Sequence, residues 1–264
     1  GDSISHKNNS TEFQFPLLSL VFGNKQPTAP TLLLVGGVHG LERIGSQVVL
    51  ALLKSFGELL LWDQQLIKSL QEFRIIFLPF VNPIGILKKT RSNPNGVDLM
   101  RNAPINADED PTFLVGGHHI SSRLPWYRGE ALQPESEALI QLAKRFLYPS
   151  QHVISIDFHS GFGIKDRLWF PYAKTKKPFP HLAQMYALFE NLERTFPNHI
   201  YQVEPQSKNY TTHGDLWDYI YDQYQAQQPE GTYLPLALEM GSWMWVKKNP
   251  AQLFSSLGPF NPMK

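Results

Sequence analysis

Thr31-Leu32-Leu33-Leu34-Val35-Gly36-Gly37-Val38-His39-Gly40-Leu41-Glu42 decides the fold class. Its first five residues form a continuous apolar run, the pattern of a strand buried on both faces. Two glycines end the run, and apolar residues then recur at helical spacing, with Ile44, Val48, Val49, Leu52 and Leu53 on one face. A strand passing through a short glycine turn into a helix is the unit of an α/β fold.

The pattern repeats outward. Residues 73–80 read as a strand stopped by Asn82-Pro83. Pro134-Glu135-Ser136-Glu137 opens a helix, with proline in the first turn and acids at the positive dipole end. Strands are expected over 152–158 and 168–172, helices over 181–195 and 214–224, and a last strand over 233–238. The expectation is a single α/β domain over residues 1–264, with a twisted, mixed but mostly parallel sheet and helices on both faces. Some links are too short for crossovers, so parts of the sheet are expected to be antiparallel. The long polar stretch through Gly116-Gly117 to Gly129 exceeds an ordinary connection, which suggests a functional loop.

Composition removes several classes. Hydrophobic residues make up 42% and charged residues 18% of 264, which excludes a disordered or coiled-coil chain. Lys plus Arg number 24 against 23 acids, so no basic excess calls for nucleic acid or an anionic membrane. No apolar run approaches the ~20 residues of a membrane helix. The absence of cysteine rules out disulfides and thiolate metal sites, leaving His and carboxylate as metal ligands. The polar opening Gly1-Asp2-Ser3-Ile4-Ser5-His6 lacks a signal peptide's apolar core, which favours the cytoplasm; the missing Met leaves the natural start open.

Open α/β sheets bind ligands beyond the C-terminal ends of their strands. There the first strand brings His39 and Glu42, Ser155-Ile156-Asp157-Phe158-His159-Ser160 brings His159, and Leu236-Ala237-Leu238-Glu239 brings Glu239. Two His and one Glu are a catalytic zinc set, because three protein ligands leave a position for water. Glu239 is then available as the general base that hydrolysis of an amide needs. Taken singly, each residue has an ordinary reading: His-x-x-Glu recurs by chance, and a strand-end His or Glu is commonly structural.

Together the blocks are familiar. Gly37-Val38-His39-Gly40-Leu41-Glu42 resembles the first zinc motif of the carboxypeptidase A type of zinc metallocarboxypeptidases. Thr90-Arg91-Ser92-Asn93-Pro94-Asn95-Gly96-Val97-Asp98-Leu99-Met100-Arg101-Asn102 is similar to that family's central segment. Ile156 to Ser160 is similar to its second zinc motif, Tyr210-Thr211-Thr212-His213-Gly214 to its mobile tyrosine segment, and Leu238-Glu239 to its glutamate strand.

The resemblance implies one zinc per chain on His39, Glu42 and His159, with Glu239 as base. It implies that Arg91 stabilises the oxyanion, Arg101 grips the substrate's terminal carboxylate, Asp98 orients the first zinc histidine and Tyr210 closes over the substrate. By the same resemblance, the residue seven after Tyr210, Trp217, stands at the base of the side-chain pocket and suggests an uncharged terminal residue; a slip of one would place Asp218 there instead. The partner implied is a peptide or small amide with a free C-terminal carboxylate, and the activity a zinc exopeptidase. Met100 departs from the family, which commonly has Asn there to share the carboxylate. A deacylase acting on a small N-acyl amino acid therefore remains the alternative, with a zinc-binding pseudoenzyme as a third reading. His118, His119, His152, His181, His199 and His213 match no family position and read as surface or loop residues.

Overall fold

The computed structural model describes residues 2–8, 11–162 and 165–241, those up to residue 14 by backbone alone. Nine strands alternate with six helices among them. β1 (Asp2–Asn8) and β2 (Thr11–Leu17) form an antiparallel pair of their own. The main sheet contains β3 (Leu20–Gly23), β4 (Thr31–Gly36), β5 (Arg74–Leu78), β6 (His152–Ser160), β7 (Arg167–Phe170), β8 (Gln202–Pro205) and β9 (Thr232–Met240), in the spatial order β3-β5-β4-β6-β9-β7-β8. The four central strands run parallel, whereas β3 joins β5, and β7 joins β9, antiparallel. This is the expected mixed, mostly parallel sheet.

The helices are α1 (Arg43–Leu59), α2 (Gln64–Ser69), α3 (Pro83–Lys88), α4 (Pro134–Phe146), α5 (Leu182–Thr195) and α6 (Leu216–Gln227). No described helix is long and apolar enough to cross a membrane. Side-chain alternation along the strands splits the interior in two. Leu33, Val35, Ile76 and Leu78 pack with α4 and α6 on one face. Leu34, Ile75 and Phe77 pack with Val49 and Phe56 of α1 on the other, where Leu66 of α2 and Leu192 of α5 join them.

α1 departs from its expected face. Ile44 and Leu52 are exposed, and the buried face runs through Gly45, Ser46, Val49 and Phe56. The cause is close approach: a Cβ on Gly45 would stand 2.0 Å from the carbonyl oxygen of Phe158 in β6. The helix meets the sheet along its smallest residues, a choice that apolar periodicity cannot reveal.

After β4 the chain moves to β5 on one side, and then to β6 on the other. The C-terminal ends of β4 and β6 therefore bound a topological switch point, where a crevice forms.

Candidate metal centre and active site

The turn between β4 and α1 is held from below. Asn82 caps α3, accepting from the Gly85 N–H, while Val81 N–H and Asn82 N–H donate to the carbonyls of Gly36 and Gly37. Gly37 has φ +72°, and a Cβ on Gly40 would meet the Gly85 backbone at 2.0 Å, so neither position tolerates a side chain. This brace turns His39 and Glu42 toward the crevice. Glu42 stands at the N-cap of α1, yet its side chain reaches across to β6 instead of capping.

There it meets His159. Glu42 Oε2 accepts the Ser160 N–H at 2.9 Å and lies 3.2 Å from His159 Nδ1. One ligand atom from each of His39, Glu42 and His159 falls within 4.8 Å of the others, and all three residues are buried. His39 Nδ1 has no hydrogen-bond partner. Burial first, and Arg91 second, hold the His39 ring down to about 3, so it stays neutral. Burial alone would raise Glu42, but His39, His159 and Arg91 outweigh it and bring the carboxyl down to about 2. A neutral imidazole and an ionised carboxylate are the forms that bind a metal.

Glu239 follows from strand register. It pairs with His159 across the parallel β6–β9 ladder. Its Oε2 is buried without a partner. Burial pushes the carboxyl up to about 7, with Glu42 and Asp157 adding to the shift and His159 and Arg91 opposing it.

Two guanidinium groups complete the rim. Arg91 donates from Nη1 to Glu42 Oε1 at 3.1 Å and from Nε to Asp98 Oδ2 at 2.9 Å. Asp98 Oδ1 accepts the Met100 N–H, capping a 3-10 turn over Leu99–Arg101, and lies 3.8 Å from His39 Nδ1, beyond a hydrogen bond. In this geometry Asp98 holds Arg91 more closely than it holds His39.

Arg101 is buried, donating to the carbonyls of Val115 and Met100. The long loop expected to be functional therefore clamps this side chain. Arg128, from the Trp126-Tyr127-Arg128-Gly129 segment, donates to the Arg101 carbonyl. The Tyr210 ring stands 5.9 Å from the Arg101 guanidinium and packs on Phe162 and Trp169. Met100 turns its thioether into the larger core and offers the rim only its carbonyl.

Trp217 differs from its expected place in the substrate pocket. Its ring lies in the larger core, and its indole N–H donates to Asp157 Oδ2 at 2.9 Å. The turn of α6 directs this side chain beneath the metal-ligand group. His118 and His181 also differ from a surface reading: both are buried, His118 against the Pro125 carbonyl and His181 against the Tyr221 hydroxyl. Neither belongs to the metal group. Asp157 escaped the sequence reading, although Asp and His two apart on one strand share a face and signal that they act together.

The donor set fits zinc. Two histidines and one carboxylate leave a fourth position for water, the arrangement of a catalytic zinc, and the buried, unpartnered His39 Nδ1 is a donor atom with no other use. The sequence profile of the zinc carboxypeptidase family matches residues 3–242. The chain belongs to that family.

Within it, the chain is 30% identical over 169 residues to the human carboxypeptidase N catalytic chain, covering 58% of this chain and 35% of that one. It is 29% identical over 168 residues to carboxypeptidase E of Caenorhabditis elegans, covering 55% and 34%. The chain thus spans about a third of the length of these curated relatives. Among solved structures, thrombin activatable fibrinolysis inhibitor superposes with a TM-score of 0.68 at 18% identity, covering 95% of this chain and 62% of that one. Carboxypeptidase A of Helicoverpa armigera gives 0.63 at 15% identity, covering 96% and 65%. At such identities these two establish the shared fold. As in other zinc carboxypeptidases, the buried His39-Glu42-His159 group is consistent with a zinc site.

Proposed function

We propose that this zinc carboxypeptidase relative is a zinc-dependent exopeptidase that removes the C-terminal residue of a peptide. One observation carries the reading: Glu239, with Oε2 buried and unpartnered, stands beside the His39-Glu42-His159 group, on a rim that also carries Arg91 and Arg101. A bare metal-binding protein needs neither a base nor two cations beside its metal.

His39, Glu42 and His159 would hold one zinc, which supplies Lewis acidity toward a carbonyl oxygen and toward water. Glu239 takes the proton of the attacking water at Oε2 and delivers it to the leaving amine nitrogen. Burial suits this work, because a carboxyl raised toward neutrality both accepts and returns a proton readily. Arg91 opposes the negative charge that grows on the carbonyl oxygen, an interaction strongest in the transition state. Arg101, fixed by the Val115 and Met100 carbonyls, receives the terminal carboxylate, and Tyr210 closes over the bound residue. Family membership supports peptides as the substrate class.

A second reading, a deacylase acting on a small N-acyl amino acid, is favoured by Met100. A thioether cannot donate a hydrogen bond, so the carboxylate has one fewer donor than a matched Asn–Arg pair gives.

The test is digestion of free-acid peptides, the same peptides as C-terminal amides, and N-acyl amino acids by zinc-loaded protein, read by mass spectrometry. The exopeptidase reading expects free acids to shorten by one residue at the C-terminus while amides persist. Cleavage confined to the N-acyl amino acids would establish the deacylase. No cleavage of any of the three by zinc-loaded protein would leave a binding role.

A further inference from the structure

Asp157 occupies a place where a carboxylate is costly. It lies in β6, between β4 and β9, opposite Val35 and Ala237, with no solvent-exposed surface. An apolar residue there would continue the core, and among the described residues no Lys or Arg lies within ion-pair distance of it, His159 being its ion-pair partner. A buried acid without a cation of its own is unfavourable unless hydrogen bonds hold it.

Two donors converge on one oxygen. Asp157 Oδ2 stands 2.7 Å from His159 Nε2 and 2.9 Å from Trp217 Nε1. An indole N–H only donates, so Oδ2 is an acceptor in that bond. With Oδ2 acting as acceptor toward the imidazole too, His159 carries a proton on Nε2. The imidazole then presents Nδ1 to the crevice, 3.2 Å from Glu42 Oε2. The indole is itself fixed at its root, because Asp215 caps α6 by accepting the Trp217 and Asp218 N–H groups.

We infer that Asp157 and Trp217 are positioning residues for the metal: the indole orients the Asp157 carboxylate, and the carboxylate sets the tautomer and ring angle of His159. The inference rests on the zinc reading above. Neither residue touches substrate, and both lie beneath the site. A carboxylate behind a metal-bound imidazole raises its basicity and fixes its direction. Here the carboxylate has a holder of its own, so the chain runs from the first turn of α6 through Trp217, Asp157 and His159 to the crevice.

The test compares the parent chain with Asp157→Asn, Trp217→Phe and the double variant. Each is stripped with a chelator, then titrated with zinc against a chromophoric competitor. Asn keeps an acceptor for the indole but removes the charge, and Phe keeps the ring but removes the N–H. Asp157→Asn should weaken zinc binding by about 10- to 100-fold. Trp217→Phe should weaken it in the same direction by less. The double variant should lose less than the two single losses together, because Trp217 acts through the side chain of residue 157. Cobalt-substituted Asp157→Asn should also show a shifted visible spectrum, reporting a turned or less basic His159.

A lowered melting temperature of the metal-free variants with unchanged zinc affinity would reduce the pair to core packing and overturn the inference. Additive losses in the double variant would break the chain between Trp217 and His159. A parent chain that binds no zinc at all would instead remove the zinc reading itself, and the inference with it.

Discussion

His159 and Glu239 are register partners on the adjacent parallel strands β6 and β9. Parallel pairing puts the last residues of both strands at the same edge of the sheet, so a metal-ligand candidate and a base candidate stand side by side without any loop to place them. The rigidity of the central sheet is therefore passed directly to the proposed chemistry. His39 and Glu42 arrive from the neighbouring strand, braced by Asn82 and Gly85.

Glu239→Gln keeps the shape and removes the base. We expect kcat to fall by roughly 10²-fold or more, with zinc content and KM near those of the parent. Steady-state kinetics with metal analysis checks this; a variant that retains its turnover would move the base elsewhere.

The pH dependence has a definite sign. Burial raises the Glu239 carboxyl from 4.5 to about 7. The base works ionised, so kcat/KM should rise with pH through this group and be lost below it. A bound dication favours the carboxylate, so the acid limb of the loaded enzyme should lie between 4.5 and about 7. Glu239→Gln should lack that limb, and an identical limb in the variant would assign it to another group.

Arg91 and Arg101 should separate by kinetic signature. Arg91→Ala should depress kcat by roughly 10²- to 10³-fold, because its bond strengthens as charge develops. Arg101→Ala should act chiefly on KM and erase the difference between a peptide and its C-terminal amide. Equal discrimination in the parent and in Arg101→Ala would remove the carboxylate from Arg101.

Glycine chemistry gives a stability test that needs no substrate. Gly214 has φ +67°, and a Cβ there would stand 1.9 Å from the Arg101 carbonyl oxygen. Gly214→Ala should destabilise the chain by about 2 kcal/mol or more and displace Arg101. Gly57, inside α1 with nothing within 4 Å of its absent Cβ, is the counterpart. Gly57→Ala should stabilise by roughly 0.5–1 kcal/mol. Thermal melts of the two variants should shift in opposite directions.

Much of this is legible in the sequence. The run at Thr31 is a continuous apolar stretch and the one at His152 is interrupted by Ser155 and Asp157, and the candidate ligands stand at their C-terminal ends, the edge where open sheets bind ligands. That placement points to His39, Glu42, His159 and Glu239, of which the first three lie close enough to share a metal ion. For Trp217, counting along a helix locates the residue but not the direction of its side chain, which lies in the core. Ile44 and Leu52 share the apolar face expected of α1 but are exposed, because periodicity ignores the close contact at Gly45. β3 and β8 escaped because they are short edge strands, each paired on one side only. Asp157 is visible in the sequence only as the strand-mate of His159 two residues away; its burial and its indole donor come from the fold.

Zinc titration of the chelator-stripped chain, beside the His39→Ala/Glu42→Ala/His159→Ala triple variant, tests the central claim most directly. The account predicts about one zinc per chain for the parent and none for the triple variant at the same concentrations. Full zinc stoichiometry in the triple variant, or a folded parent that takes up none, would contradict it.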